Sequence, residues 1–175
     1  LLLFHSSMSE KRRFVDRLVN YLDGSHITYV YKYEKFCRER SKIINNYNDE
    51  NLWLETLEMH IVNLAFLIIK NRNLLIDELN KIYEKEINFQ FPRIELLISG
   101  EIEHLLSNQG ESNIKKSLLN DLRVGRKNKN SFFFGPHNST ISLINKNTKK
   151  EISNCSTGEQ KLMLISFILN HSKLL

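Results

Sequence analysis

Apolar residues recur every three or four positions through the first half of the chain, which is the spacing of one face of an α-helix. The pattern predicts helices over about residues 9–24 and 27–44, followed by a turn over 45–49 that is rich in Asn and Asp. The longest predicted element, a packed helix or short helical hairpin, covers roughly residues 50–85. Only Asn71 interrupts its apolar face, which consists of Leu57, Ile61, Leu64, Ile68, Leu75, Leu79 and Ile82.

The period of the apolar pattern changes after residue 85. Ile87, Phe89 and Phe91 alternate with polar residues before Pro92, which predicts a strand. A helix is expected over 112–124, and short strands are expected over 131–134, 140–144 and 151–153, with a turn over 145–147. A final apolar helix follows residue 156. The predicted fold class is therefore α+β and mostly helical, with a helical part over 1–85 and an α+β part over 86–175.

The composition is that of a globular protein with one strongly basic segment. Of the 175 residues, 41% are hydrophobic and 26% are charged, which is too apolar for a disordered chain, and the net charge is +5. Between Leu122 and Lys150 there are seven Lys or Arg residues and no acid. This segment either faces a polyanion such as DNA or forms a solvated hairpin. In the first case, the DNA-binding residues are expected to be Arg123, Arg126, Lys127 and Lys129.

Two isolated cysteines and one short apolar stretch indicate in which compartment the chain is expected. Cys37 and Cys155 are far apart and lack the spacing of a metal site, so a reducing cytosol fits them. The most apolar stretch, residues 61–69, is much shorter than the ~20 residues of a membrane span. We therefore expect a cytoplasmic protein without a membrane partner. Because the chain starts without Met and ends directly after an apolar helix, we also expect it to be a segment of something longer.

The most informative motif is a Ser-x-Gly-x-Gln stretch that opens the last helix. Ser156, Gly158, Glu159 and Gln160 stand where the signature motif of ABC-type ATPases would place them, and there the serine hydroxyl and glycine N–H groups bind the γ-phosphate of ATP held by another subunit. A helix N-terminus suits an anion because its N–H groups are free and its dipole is positive. The alternative is an ordinary capping box, since Ser156 and Glu159 have its spacing.

Two other motifs resemble nucleotide-binding elements only by their letters. Asp77 and Glu78 follow three apolar residues as in a Walker B strand, but they lie inside the long helical pattern and ahead of the signature. The stretch from Gly110 to Lys116 echoes a P-loop, but no strand precedes it and Lys115 replaces the second glycine. Both are predicted to be helical. We therefore assign no catalytic residue and no metal ligand.

Several blocks along the chain resemble, in order, those of the RecF family of DNA replication and repair proteins. They are the segment from Phe4 to Leu18, the helix from Tyr33 to Arg40, the Gly135-Pro136-His137 element, and the signature from Cys155 to Lys161. His137 is either a site residue or a turn residue that makes a backbone hydrogen bond. The order and spacing of these blocks make the resemblance specific, and together the blocks extend over nearly the whole chain.

The resemblance implies a fold and a set of ligands. RecF proteins join an ABC-type ATPase head to a helical lobe, so residues 1–85 would form the helical lobe and residues 86–175 an incomplete head segment. They are ATP-dependent proteins of DNA replication, recombinational repair and the SOS response that bind single-stranded, gapped and double-stranded DNA. The resemblance thus implies ATP with Mg²⁺, DNA, RecR-like and RecA-pathway proteins, and an ATP-dependent homodimer when the protein is complete.

Departures from the family pattern limit what this chain is expected to do alone. It carries Asn138-Ser139-Thr140 where the family has Arg-x-Asp, and it lacks both the glycine-rich phosphate loop and the acidic strand after the signature helix. We therefore expect no enzymatic activity and no ATP binding by this chain alone. The alternative hypothesis is a truncated, non-enzymatic remnant that acts at most as a helical DNA- or protein-interaction module.

Overall fold

The computed structural model describes residues 6–46, 52–85, 91–108, 110–127 and 135–174. Its elements confirm an α+β, mostly helical fold with a two-stranded sheet. In chain order they are α1 (Met8–Leu22), α2 (His26–Asn46), α3 (Leu52–Lys85), β1 (Ile94–Ser99), α4 (Glu101–Asn108), α5 (Glu111–Lys127), β2 (Thr140–Asn145), a 3-10 turn (Ile152–Asn154) and α6 (Thr157–Ser172).

The chain divides into two compact units that alternate along the sequence. The sheet unit consists of Leu1–Gly24, Asn71–Ser99 and Thr140–Leu175, and the helical unit consists of Ser25–Lys70 and Gly100–Ser139. Each unit contains residues from both sides of residue 85, so the units do not follow the boundary expected from the sequence. The assignment of residues 1–85 to a helical lobe and of 86–175 to a head segment stays a prediction.

In the sheet unit, helices pack on an antiparallel strand pair. β1 and β2 place Leu96 opposite Leu143 and Ser99 opposite Thr140. The alternating apolar residues of both strands form one core with the inner faces of α1 and α6 and with the end of α3, because burying one face of each element removes its apolar surface from water. The buried members of this core are Val15, Val19, Leu75, Leu79, Tyr83, Ile94, Leu96, Ile141, Leu143, Ile152, Cys155, Met163 and Phe167.

A buried ion pair accompanies this core. Arg72 donates two hydrogen bonds to the Asp16 carboxylate, Nε to Oδ1 at 2.8 Å and Nη2 to Oδ2 at 3.0 Å. Both side chains are at most 5% exposed. This bidentate geometry satisfies charges that would otherwise be costly to remove from water.

The helical unit has a second core of its own. Its buried residues come from α2, the first part of α3, α4 and α5, at the 3/4 spacing that the sequence predicted for α3. They are Tyr33, Leu57, Ile61, Val62, Ala65, Ile68, Ile69, Ile102, Ile114, Leu118 and Leu122. The apolar side chains of α3 therefore lie in the cores of both units.

Among the residues that the structure describes, the helix Trp53–Lys85 has the length and composition of a membrane span. Its apolar residues include Leu57, Ile61 and Ile68 in the helical unit and Leu75 in the sheet unit, all at most 2% exposed. A buried core helix meets the same criteria without a membrane.

Several predicted elements differ from the observed ones. β1 and α4 were not predicted, and α1 begins at Met8 with Ser7 as its cap, ahead of the expected start. The strand expected over 151–153 was wrong: Glu151 makes a single bridge to Ile144, and a 3-10 turn follows. The strand expected over 131–134, most of the one expected over 87–91 and most of the turn over 45–49 lie outside the described residues.

Candidate functional site

The signature stretch forms the N-terminus of α6. Ser156 is the N-cap, and its hydroxyl accepts a hydrogen bond from the Glu159 N–H at 3.4 Å. The Glu159 carboxylate in turn accepts the Ser156 N–H and the Ser156 hydroxyl, both at 2.8 Å. The local structure is thus a complete capping box, in which serine and glutamate satisfy each other's backbone groups.

The Glu159 carboxylate accepts hydrogen bonds from the two Ser156 groups, the N–H and the hydroxyl, that could otherwise donate to an anion. Hydrogen bonds from the Ser156 N–H and then from its hydroxyl lower the pKa of Glu159, so the group is ionised at neutral pH. A phosphate that approaches the same N–H and hydroxyl meets a negative charge already bound there. For Ser156 to donate these hydrogen bonds to an anion, the capping box would first have to open.

Gly158 and Gln160 play different parts around this cap. Gly158 is exposed, and a Cβ added there would meet nothing within 4 Å. Gln160 is 5% exposed, and its Nε2 donates to the Cys155 carbonyl at 3.0 Å, which ties α6 to the preceding turn. Burial, and then the nearby Glu159, raise the pKa of Cys155, so this thiol is not a ready nucleophile. Of the four motif residues, Ser156 and Gly158 are the two that are exposed.

The Gly-Pro-His element forms a turn in the helical unit. The Asn138 N–H donates to the Gly135 carbonyl at 2.9 Å, and His137 Nδ1 lies 2.6 Å from the Tyr33 hydroxyl. A Cβ at Gly135 would collide with the Tyr33 hydroxyl and the His137 ring, so no larger residue fits there without a shift. Tyr33, on α2 and 2% exposed, thereby fixes the orientation of His137.

The basic segment is only partly available to a polyanion. Arg123 is half exposed and lies 3.6 Å from the Glu55 carboxylate. Arg126 is 17% exposed and binds the fully buried Glu58, which also accepts Arg40 Nε at 2.8 Å. Arg126 therefore stabilises the helical unit. The Lys127 side chain and Lys129 lie outside the described part of the chain.

A second group of cations lies at the turn after β2. The Asn145 side chain accepts the N–H groups of Asn147 and Thr148 at 2.9 and 3.3 Å, which shapes the turn. Lys149 adopts a positive φ of 57°, and both it and Lys150 are exposed. These lysines belong to the basic stretch that the sequence singled out, although they were not among the four residues expected to bind DNA.

The motifs dismissed on sequence grounds are helical, as expected. Asp77 and Glu78 lie within α3, and Glu78 accepts Lys81 at 2.6 Å. The Gly110 carbonyl accepts the N–H of Ile114 at 3.2 Å, so this glycine stands at the start of α5 and not in a phosphate loop. Across the described ranges, no group of three or more His, Cys, Asp or Glu residues is placed to hold a metal ion.

Comparison with known sequences gives a consistent set of relatives. No family model matches the chain. The chain is 33% identical over 174 residues to the DNA replication and repair protein RecF of Rickettsia bellii, which covers 95% of this chain and 47% of that protein. RecF of Rickettsia massiliae is 35% identical over 173 residues, and RecF of Brucella abortus is 28% identical over 176 residues. The chain thus spans about half the length of the curated relatives it matches.

Comparison with solved structures shows the same fold. The recombination mediator protein RecF of the RecFOR pathway, solved as RecF-ATP, superposes with a TM-score of 0.77 at 19% identity, covering 99% of this chain and 48% of that one. The RecF-ATPrS structure gives a TM-score of 0.73 over 97% of this chain and 47% of its own. The resemblance expected from the motifs is therefore confirmed: this chain is RecF-like over nearly all of its length and corresponds to about half of a RecF protein.

Proposed function

We propose that this chain provides the signature-motif part of a RecF-like, ATP-dependent DNA-binding protein that acts in DNA replication, recombinational repair and the SOS response. The observation that carries the proposal is the exposed start of the 16-residue helix α6, where Ser156 and Gly158 stand in RecF-like sequence context. The similarity over 95% of the chain to proteins named for replication and repair supports it. The comparisons do not favour the alternative of a remnant without this role.

In the proposed mechanism, α6 binds a γ-phosphate held by another subunit. The first-turn N–H groups of an α-helix have no partner within the helix, and its dipole places partial positive charge there. To hold such a phosphate, the Glu159 carboxylate would leave the cap, and the Ser156 hydroxyl and the N–H groups of the first turn would donate to the phosphate oxygens. Closure of the interface excludes water, which strengthens these hydrogen bonds.

ATP and Mg²⁺ enter this proposal with the other subunit. Hydrolysis requires a phosphate-cradling loop, a lysine on the phosphates and carboxylates for the metal. In the described ranges, Asp77 and Glu78 are helical and Gly110 opens a helix, so neither supplies these groups. We therefore expect the chain alone neither to bind nor to hydrolyse ATP. A complete RecF-like assembly would form the ATP-dependent homodimer.

The proposed partners follow from the basic segment and from the relatives. DNA would be bound weakly and without sequence preference through Arg123, Lys127 and Lys129, since such cations bind phosphates and not bases. RecR-like and RecA-pathway proteins are proposed because the similar solved structures belong to the RecFOR pathway. We propose a cytoplasmic location on the basis of this DNA-bound role.

The nucleotide contact is tested with two matched substitutions. Ser7 caps α1 with the same capping box that Ser156 makes on α6, since Glu10 N–H donates to Ser7 Oγ at 3.3 Å. Ser156→Arg and Ser7→Arg therefore remove the same kind of cap, but only the first lies in the signature. Each variant is mixed with a complete RecF-like subunit, and binding of ATP with Mg²⁺ is titrated.

The proposal predicts that Ser156→Arg abolishes the effect of this chain on nucleotide binding by the complete subunit, whereas Ser7→Arg leaves it intact. Equal behaviour of the two variants would reduce Ser156 to a helix cap. ATP binding by the unmixed chain would contradict the assignment of the nucleotide to the other subunit.

A further inference from the structure

The outer face of α6 is apolar although it is exposed. From Lys161 to Ser172 six residues of the helix are exposed, and four of them are Leu or Ile. These four side chains are 43–52% exposed, and the helical period brings them together as one stripe, consisting of Leu162, Ile165, Ile168 and Leu169.

The inner face of the same helix is already occupied. Met163 and Phe167 are at most 1% exposed in the core of the sheet unit. The Ser166 hydroxyl donates to the Pro92 carbonyl at 3.0 Å and fixes the rotation of the helix about its axis. The stripe therefore cannot be buried by turning α6 over.

Helix α1 of the same unit provides a comparison, because its outer face is exposed to solvent. The exposed residues of α1 are Ser9, Glu10, Arg13 and Arg17 along its length, with Met8 and Tyr21 only at its two ends. A helix with one apolar and one charged face lies at a surface, whereas a helix that is apolar on both faces lies between two layers. By this criterion α6 has a layer on one side, whereas the residues that the structure describes provide none on the other.

The fold comparison indicates what the second layer is. RecF chains superpose on 97–99% of this chain, but only 47–48% of each RecF chain is used. The same fold thus contains a comparable amount of polypeptide without a counterpart here. We propose that the outer face of α6 is the docking surface for a polypeptide with the fold of this other half of RecF.

The stripe suits a permanent partner. Its four aliphatic side chains carry no charge, and they would leave water together when covered by a layer of similar chemistry. Lys161 and Ser172 lie at the two ends of the stripe and place polar groups at the rim of the contact. The inference does not depend on the Ser156 contact, because docking requires no nucleotide.

The test is co-expression of this chain with the part of Rickettsia bellii RecF that has no counterpart in it, in the absence of added nucleotide. The expected result is a 1:1 complex on purification, measured by analytical ultracentrifugation. Ile165→Glu places a charge in the centre of the stripe and should weaken association by about tenfold or more. Lys161→Glu, at the rim of the same helix, should change it by much less.

The variants are compared by far-UV circular dichroism so that only folded proteins are scored, and Leu169→Glu serves as a second substitution in the stripe. Absence of a complex with the wild-type chain, or equal binding by the Ile165→Glu and Leu169→Glu variants, would overturn the proposal. Self-association of the wild-type chain that Ile165→Glu abolishes would assign the stripe to a second copy instead. A complex that forms normally with Ser156→Arg would show that docking and the nucleotide contact are separate.

Discussion

The strongest prediction concerns the buried carboxylate of Glu58. This side chain is fully buried and lies between two guanidinium groups: Arg40 Nε donates to it at 2.8 Å, and Arg126 Nε donates to the same oxygen at 3.0 Å. Arg40 is 2% exposed and also donates to the Leu122 carbonyl at 2.6 Å. Replacing Glu58 with Ala would leave Arg40 as a buried charge without its counter-ion.

The expected loss follows from the burial of the partners. Removing one member of a buried ion pair destabilises a protein by about 3–5 kcal/mol, because the remaining charge stays desolvated. Glu55, one turn earlier on α3, provides the control: it lies 3.6 Å from Arg123, and both side chains are about half exposed. An exposed pair of this kind contributes about 0.2–1 kcal/mol. Glu58→Ala should therefore cost several times more than Glu55→Ala.

Urea denaturation followed by circular dichroism measures both variants. The midpoint of Glu58→Ala should fall clearly below that of Glu55→Ala, and Glu58→Gln should lie between them because it keeps one oxygen acceptor but loses the charge. Equal midpoints for the Glu58→Ala and Glu55→Ala variants would refute the structural role of the Glu58 ion pairs. Arg126 would then again be a candidate for DNA binding.

Three further predictions concern protons, thiols and salt. Burial lowers the pKa of His171, and a hydrogen bond to the Leu18 backbone opposes this shift. The folded protein should therefore lose stability as the pH falls below about 6.5, because the unfolded chain then binds the proton more readily. In thermal melts, His171→Leu should reduce this loss. Burial raises the pKa of Cys37 to about 11, so iodoacetamide at pH 8 should label the native thiol far more slowly than the urea-unfolded one; equal rates would contradict its burial. Replacing Arg123, Lys127 and Lys129 with Ala should lower the slope of log binding constant against log salt concentration by about 0.9 for each DNA phosphate that the variant no longer neutralises. Replacing three exposed lysines outside the proposed DNA-binding set, Lys32, Lys42 and Lys70, should leave this slope unchanged.

The sequence was sufficient for elements whose apolar pattern had a clear period. The 3/4 spacing from Leu57 to Leu79 predicted α3, and the run after Ser156 predicted α6. β1 was missed because Leu96, Leu97 and Ile98 form a continuous apolar run, which has no strand period. Its strand geometry depends on pairing with β2, whose residues are distant in sequence.

The sequence predicted which residue types form the candidate site, but only part of their hydrogen bonds and ion pairs. The spacing of Ser156 and Glu159 allowed both a capping box and a phosphate contact, and the structure shows the capping box. The structural role of Arg126 could not be predicted, because its partner Glu58 is 68 positions away in sequence and no local pattern connects them. Long-range pairs of this kind depend on how helices pack, which a single sequence does not reveal.

The insertion of helical-unit residues between β1 and β2 has a consequence for the order of folding. Ser99 and Thr140 pair across the sheet although they are 41 positions apart, and the segment between them belongs to the helical unit. Within that unit the Ser139 hydroxyl donates to the buried Glu103 carboxylate, which holds the two ends of the inserted segment together. Once this unit has formed, joining the strands closes a loop of only about four residues, a saving of about 2 kcal/mol in chain entropy relative to the unfolded segment. We therefore expect the helical unit to form before the two strands pair, so that substitutions that slow the collapse of this unit should also delay strand pairing.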